Sequence, residues 1–281
     1  MFQTIVKIFL LVIITAAITP FIRKLAFVLG AVDNPNARRI NKKPMPTIGG
    51  LAIFVAFNIG EFVLLRKDFP THELFSVLLA SSVIILTGLI DDILELKPRQ
   101  KMFGIFIASL VVYFLAGIKV RELSLPLLGH LQLGWWSFPL TIFWILALTN
   151  AVNLIDGLDG LATGVTLISL VTMGIVGFFF LKSWQHYVPI MCIMLAACLL
   201  GFLPYNFHPA KIFLGDTGAL YIGFMISVFS LKGLKNVTFV SLLVPILILG
   251  VPITDTVYAM IRRKLNKKNI SQADKHHLHH Q

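Results

Sequence analysis

Nine apolar stretches, each near the roughly 20 residues that a helix needs to cross the hydrocarbon of a bilayer, leave this chain little choice of fold. They run roughly over 4–22, 47–65, 74–90, 102–118, 138–155, 158–181, 188–204, 218–231 and 238–260. In lipid the backbone must satisfy its own hydrogen bonds, so the expectation is an all-α, polytopic membrane protein of about nine helices, one domain over 1–281. Composition agrees, with 57% hydrophobic and 13% charged residues, far from the soluble average. The first stretch lacks the charged start and small-residue cleavage site of a signal peptide and reads as the first helix.

A net charge of +11 would suggest nucleic acid in a soluble protein, but here the basic residues lie between apolar stretches and point to the membrane surface. No nucleic-acid partner is expected. If the stretches alternate in direction, segments 23–46, 91–101, 156–160, 205–217 and 261–281 share one side and carry 16 of the 24 Lys and Arg. The positive-inside rule then puts that side and the C-terminus in the cytoplasm and the N-terminus outside. Cys192 and Cys198 fall in one predicted helix, too far apart along it to form a bridge.

The acidic residues carry the chemistry. Asp33, Asp91, Asp92, Asp156, Asp159, Asp216, Asp255 and Asp274 lie in or beside the cytoplasmic segments, and Asp68 is the one aspartate that does not. A carboxylate at the hydrocarbon edge is costly unless water, a cation or a partner offsets it. One such residue is ordinary in a loop; eight on one side point to a metal or substrate site.

Asp91 and Asp92 adjoin at the negative end of the third predicted helix. A divalent cation would offset them, as would Lys97, Arg99 and Lys101 downstream, which also suit phosphate; a solvated charged loop is the plainer reading. The segment Asn150-Ala-Val-Asn153-Leu-Ile-Asp156-Gly-Leu-Asp159-Gly-Leu-Ala162 interrupts two apolar stretches, and such a break at membrane depth must line a cavity. Its amides suit a nucleobase and ribose, whereas a plain hairpin turn needs a single Gly or Asn. The segment from Tyr205 to Gly218 ends in Gly-Asp-Thr-Gly, which is no Walker loop; Asp216 there reads as a helix N-cap or as a metal ligand. After a basic run from Arg262 to Lys268 comes Asp274-Lys275-His276-His277-Leu278-His279-His280-Gln281. Contact with phosphate or proton transfer suits these histidines better than a purification tag or a zinc site.

Five motifs, Lys43 to Gly50, Gly88 to Asp92, Asn150 to Ala162, Asn206 to Gly218 and Pro252 to His280, stand in a familiar order over nearly the whole chain. In them the sequence resembles the polyprenyl-phosphate N-acetylhexosamine-1-phosphate transferases, glycosyltransferase family 4, and most of all the branch that starts wall teichoic acid synthesis. The resemblance implies transfer of N-acetylglucosamine-1-phosphate from UDP-N-acetylglucosamine to undecaprenyl phosphate, magnesium or manganese as cofactor, and a homodimer. It implies that Asp216 and Asp92 bind the metal and that Asp91, Asp92, His277, His279 and His280 are catalytic, Asp91 by deprotonating the lipid phosphate. It further implies that Lys43, Asn150, Asn153, Asp156, Asp159 and Asn206 surround the nucleotide sugar, with Arg99, Lys101 and Lys211 offsetting phosphate charge. Relatives usually continue with a basic residue and two further spans where this chain ends at Gln281, so those helices are expected to be missing.

Two rival readings make different predictions. A cation-coupled transporter would carry its acids near the bilayer midplane within an inverted repeat. The peptidoglycan branch would take a UDP-muramoyl-pentapeptide donor.

Overall fold

The computed structural model describes residues 2–33, 44–64, 66, 70–125, 129–181 and 187–233. These residues form eight α-helices: α1 (Phe2–Leu29), α2 (Gly50–Ile59, continued in π winding over Gly60–Leu64), α3 (Thr71–Leu94), α4 (Pro98–Phe114), α5 (Ser137–Ile155), α6 (Leu161–Phe180), α7 (Tyr187–Asn206) and α8 (Gly215–Gly233). Each coincides with one of the apolar stretches; the ninth stretch, 238–260, lies outside the described residues. Two antiparallel ribbons modify the all-α expectation, β1 (Val32–Asp33) with β2 (Met45–Pro46) and β3 (Glu122–Leu125) with β4 (Gly129–Gln132).

Among the described residues, five helical segments are long and apolar enough to cross a membrane: Thr4–Leu29, Thr71–Leu94, Gly134–Ile155, Leu161–Phe180 and Tyr187–Asn206. The protein is a multi-pass membrane protein. Of the other four expected, the stretch at 238–260 lies outside the described residues, α2 and α4 form shorter helices, and apolar sequence is demanded by protein interiors as well as by lipid. Helix α8 is the clearest case: it is buried at every residue from Thr217 to Lys232, with α2, α3 and α5 packed around it. A helix apolar on all sides belongs in such a core. Tyr221, Phe224 and Phe229 of α8 are among the largest fully buried side chains, while Phe9, Phe21, Phe103, Phe143 and Phe179 on the surrounding helices face outward, as contact with lipid requires.

Glycines set how closely α8 approaches its neighbours. A Cβ on Gly50 would overlap the backbone of Gly218, and one on Gly88 would lie 2.5 Å from the Thr217 Cα, so α2 and α3 both meet α8 backbone to backbone at its first turn. The N–H groups that open α2 are satisfied from the loop before α8, with Gly49 donating to the Phe213 carbonyl and Gly50 to the Leu214 carbonyl, both at 3.0 Å. Phe213 in turn donates to the Pro46 carbonyl at 2.8 Å. Three segments remote in sequence are thereby fixed at one end of the bundle.

Candidate active site

That end gathers the acidic residues. The last turn of α3 carries Asp91 and Asp92, and the helix stops at Glu95, which adopts a left-handed conformation at φ 50°. Asp91 stabilises the stop by accepting the Leu96 amide at 2.8 Å. Pro98 at the first position of α4 then starts a helix that returns along α3. Its first turn directs Lys101 at two carboxylates: the Lys101 Nζ lies 2.6 Å from Asp91 Oδ2 and donates to Asp216 Oδ1 at 2.9 Å.

Asp216 opens α8. The turn before it needs Gly215 at φ +71°, where any Cβ would overlap the Thr47 carbonyl oxygen. The amides of Asp216 and Thr217 are closed by Asp92, whose Oδ1 and Oδ2 each accept one of them at 3.0 Å; the Thr217 hydroxyl also donates to Oδ2. Asp92 therefore caps α8 from another helix. Asp92, expected as a metal ligand, thus has both of its oxygens engaged by the first turn of α8. Thr217 escaped the sequence reading although it stands inside the Gly-Asp-Thr-Gly motif.

Asn153 of α5 hydrogen-bonds the Asp216 carboxylate. Burial alone would raise Asp216, but the bond with Asp91, the Lys101 ammonium and Asn153 together hold it below the ordinary carboxylate value. Asp156 sits just past the end of α5, where burial first, and then the charges of Asp216 and Asp92, push it up to about 8. Asp91, Lys101, Asn153 and Asp216 are thus in direct contact, and Asp156 lies within their electrostatic reach.

The other expected residues fall differently. Asn206 is buried, its Oδ1 accepts from the Thr163 hydroxyl at 2.7 Å and its Nδ2 donates to the Ile212 carbonyl at 3.2 Å. It braces the loop before α8 against α6. Asp159 ties that loop to the α5–α6 turn, 3.0 Å from His208 Nδ1 and accepting the Ala210 amide at 3.1 Å. Asn150 donates to its own helix at the Leu146 carbonyl, 2.7 Å away. Arg99 and Lys211 are exposed. Lys43, His277, His279 and His280 lie outside the described residues.

Among the described residues, no group of three or more His, Cys, Asp or Glu is arranged to hold a metal ion. Magnesium needs fewer protein ligands, since it keeps several waters and takes one or two carboxylates plus substrate phosphates. The oxygens of Asp91 and Asp216 that meet on one ammonium form a pair that converges on a single cation, so the residues present fit such an ion. With Asn153 beside it, the arrangement can neutralise and orient a diphosphate.

The family model for glycosyl transferase family 4 matches residues 74–234, which include both carboxylate-bearing helix ends and the polar turn between α5 and α6. A Bacillus subtilis (strain 168) protein named as a probable undecaprenyl-phosphate N-acetylglucosaminyl 1-phosphate transferase is 44% identical over 265 residues, 94% of this chain and 72% of its own length. A decaprenyl-phosphate N-acetylglucosaminephosphotransferase of Mycolicibacterium smegmatis is 33% identical, covering 95% of this chain and 72% of that protein. A phospho-N-acetylmuramoyl-pentapeptide-transferase of Clostridium botulinum (strain Eklund 17B / Type B) is also 33% identical, covering 92% and 81%.

Proposed function

The chain belongs to glycosyl transferase family 4, and from that premise we propose that it transfers N-acetylglucosamine-1-phosphate from UDP-N-acetylglucosamine to undecaprenyl phosphate, releasing UMP. The product, undecaprenyl diphosphate N-acetylglucosamine, opens the synthesis of a cell-wall polymer of the teichoic acid type. The single observation that carries this reading is the convergence of Asp91, Asp216, Lys101 and Asn153 at one end of the bundle, with Asp156 within electrostatic reach. The 44% relative favours this donor over the muramoyl-pentapeptide donor suggested by the 33% relative.

An oxygen of the lipid phosphate attacks the β-phosphorus of the donor, the bond from that phosphorus to the bridging oxygen breaks, and UMP leaves. Such chemistry depends on positioning and charge neutralisation more than on covalent help from the protein. Asp216, with Asp91 beside it, would hold magnesium, which when bound neutralises the diphosphate. Asp91 accepts the proton of the lipid phosphate. Lys101 shifts its charge toward the phosphates, and Arg99 and Lys211 meet them from the surface. Asn153 and Asp156 orient the nucleotide, and Asp92 acts through the backbone of Asp216. In this reading the carboxylate end of the bundle and the C-terminus face the cytoplasm, where the UDP-sugar is, and the N-terminus faces outward.

The test is UMP release by the purified protein with UDP-N-acetylglucosamine and undecaprenyl phosphate, with and without magnesium, beside Asp216→Ala. Magnesium-dependent release that the variant abolishes is expected. Release only from the UDP-muramoyl-pentapeptide donor would move the chain to the peptidoglycan branch.

A further inference from the structure

The end of the bundle opposite the carboxylate cluster carries the β3–β4 ribbon. From Asn153 at the cluster, α5 runs back to its start at Ser137, about 24 Å at the usual helical rise and close to the thickness of the hydrocarbon layer. A short 3-10 turn, Gly134–Trp136, joins the ribbon to α5 and opens the span Gly134–Ile155. On this turn Trp135 is 95% exposed and Trp136 70% exposed. The turn is held firmly: buried Leu133 donates its amide to the Arg121 carbonyl at 2.9 Å, and the Trp136 amide donates to the Leu133 carbonyl at 2.8 Å. Below it Ile118 is buried, and the Val120 amide donates to the Thr141 hydroxyl at 3.2 Å.

Both a protein partner and a lipid surface would cover exposed indoles, and position decides between them. An indole has an apolar body and an N–H that wants a polar neighbour, so it is at home where hydrocarbon meets headgroups. The Trp pair stands on the first residues of a span, and the end of α4 lies beside the start of α5, with Tyr113 and Phe114 ring centroids 5.1 and 6.0 Å from that of Phe138. Phe114 and Leu115 there are exposed as well. Apolar surface on both helices therefore stops at the same height. Cations follow at once: Lys119 Nζ sits 4.8 Å from the centre of the Tyr113 ring, and Arg121 is exposed. The one acidic residue within 116–138 is Glu122, which accepts from Gln132 Nε2 across the ribbon at 2.5 Å.

We propose that Trp135, Trp136, Lys119 and Arg121 form a binding surface for anionic phospholipid headgroups in the leaflet opposite the carboxylate cluster. The indoles fix the depth of the ribbon at the hydrocarbon boundary, and the two cations select for negative charge among the lipids beside it. This surface lies a bilayer's width from the carboxylate cluster and does not depend on the reaction proposed above.

Tryptophan fluorescence of the purified full chain, reconstituted in mixed bilayers of phosphatidylglycerol and phosphatidylcholine, tests it. Bromine, which quenches indoles on contact, is placed on the upper acyl carbons of one lipid or of the other at equal mole fraction. Stronger quenching by brominated phosphatidylglycerol is expected. That excess should be lost in Trp135→Phe/Trp136→Phe, which removes the reporters, and in Lys119→Gln/Arg121→Gln, which keeps the reporters and removes the charge. Equal quenching by the two lipids in the wild type overturns the proposal without any variant, and so does an excess that survives in either double variant.

Discussion

Asp92 holds Asp216 by its backbone: the carboxylate at the end of α3 accepts the Asp216 amide at 3.0 Å, across 124 residues of sequence. The side chain of Asp216 is thereby left to face Lys101 and Asn153. Asp92→Ala removes a cap and is expected to lower stability by about 0.5–2 kcal/mol, with UMP release falling alongside as Asp216 loses its fixed position. Asp92→Asn keeps one acceptor oxygen and should lose less. Thermal melts and initial rates of both variants check this, and an Ala variant that melts with the wild type would count against the capping role.

Lys101 bridges two carboxylates that are also in contact with each other. Lys101→Met leaves Asp91 and Asp216 without their common cation, and the expected loss is about 1–3 kcal/mol at neutral pH, less than for a fully buried pair because the lysine side chain is 17% exposed. Millimolar magnesium should restore part of the lost Tm. Equal melting temperatures with and without magnesium would argue against a cation site at this pair.

The pH dependence of stability follows from Asp156. Its carboxyl rises from an ordinary 3.8 to about 8 on folding, so the fold disfavours the ionised form. Above pH 4 the unfolded chain ionises freely while the folded chain does not, and this contribution to stability falls steadily until about pH 8, then levels off. Asp156→Asn lacks the penalty. In magnesium-free buffer its Tm advantage over the wild type is therefore expected to grow from pH 5 to pH 8.5, and a constant difference across that range would be inconsistent with a raised carboxyl.

Glycine substitutions separate close approach from helix propensity. Gly50→Ala drives a methyl group into the Gly218 backbone and is expected to destabilise by about 2 kcal/mol or more, or to prevent folding. Gly164, within α6, has nothing within 4 Å of where its Cβ would stand, so Gly164→Ala should stabilise by about 0.5–1 kcal/mol. Melting both purified variants in the same detergent tests the contrast.

The sequence by itself determined that this chain folds as apolar helices in a bilayer, because no other arrangement of so many long apolar stretches satisfies the backbone in lipid. It also marked the acidic helix ends and the glycine-rich turns as the places where chemistry is concentrated. Which of those residues meet was decided by tertiary structure alone. Lys101 and Asp216 are 115 residues apart, and no local pattern states that α4 turns back upon the start of α8. The same holds for roles. Asp92 and Asn206 have the right chemistry for a metal and a nucleotide, and packing gives the first a helix start to cap and the second a loop to brace. A side chain's type sets what it is able to bond, and only packing decides which partner lies within 3 Å.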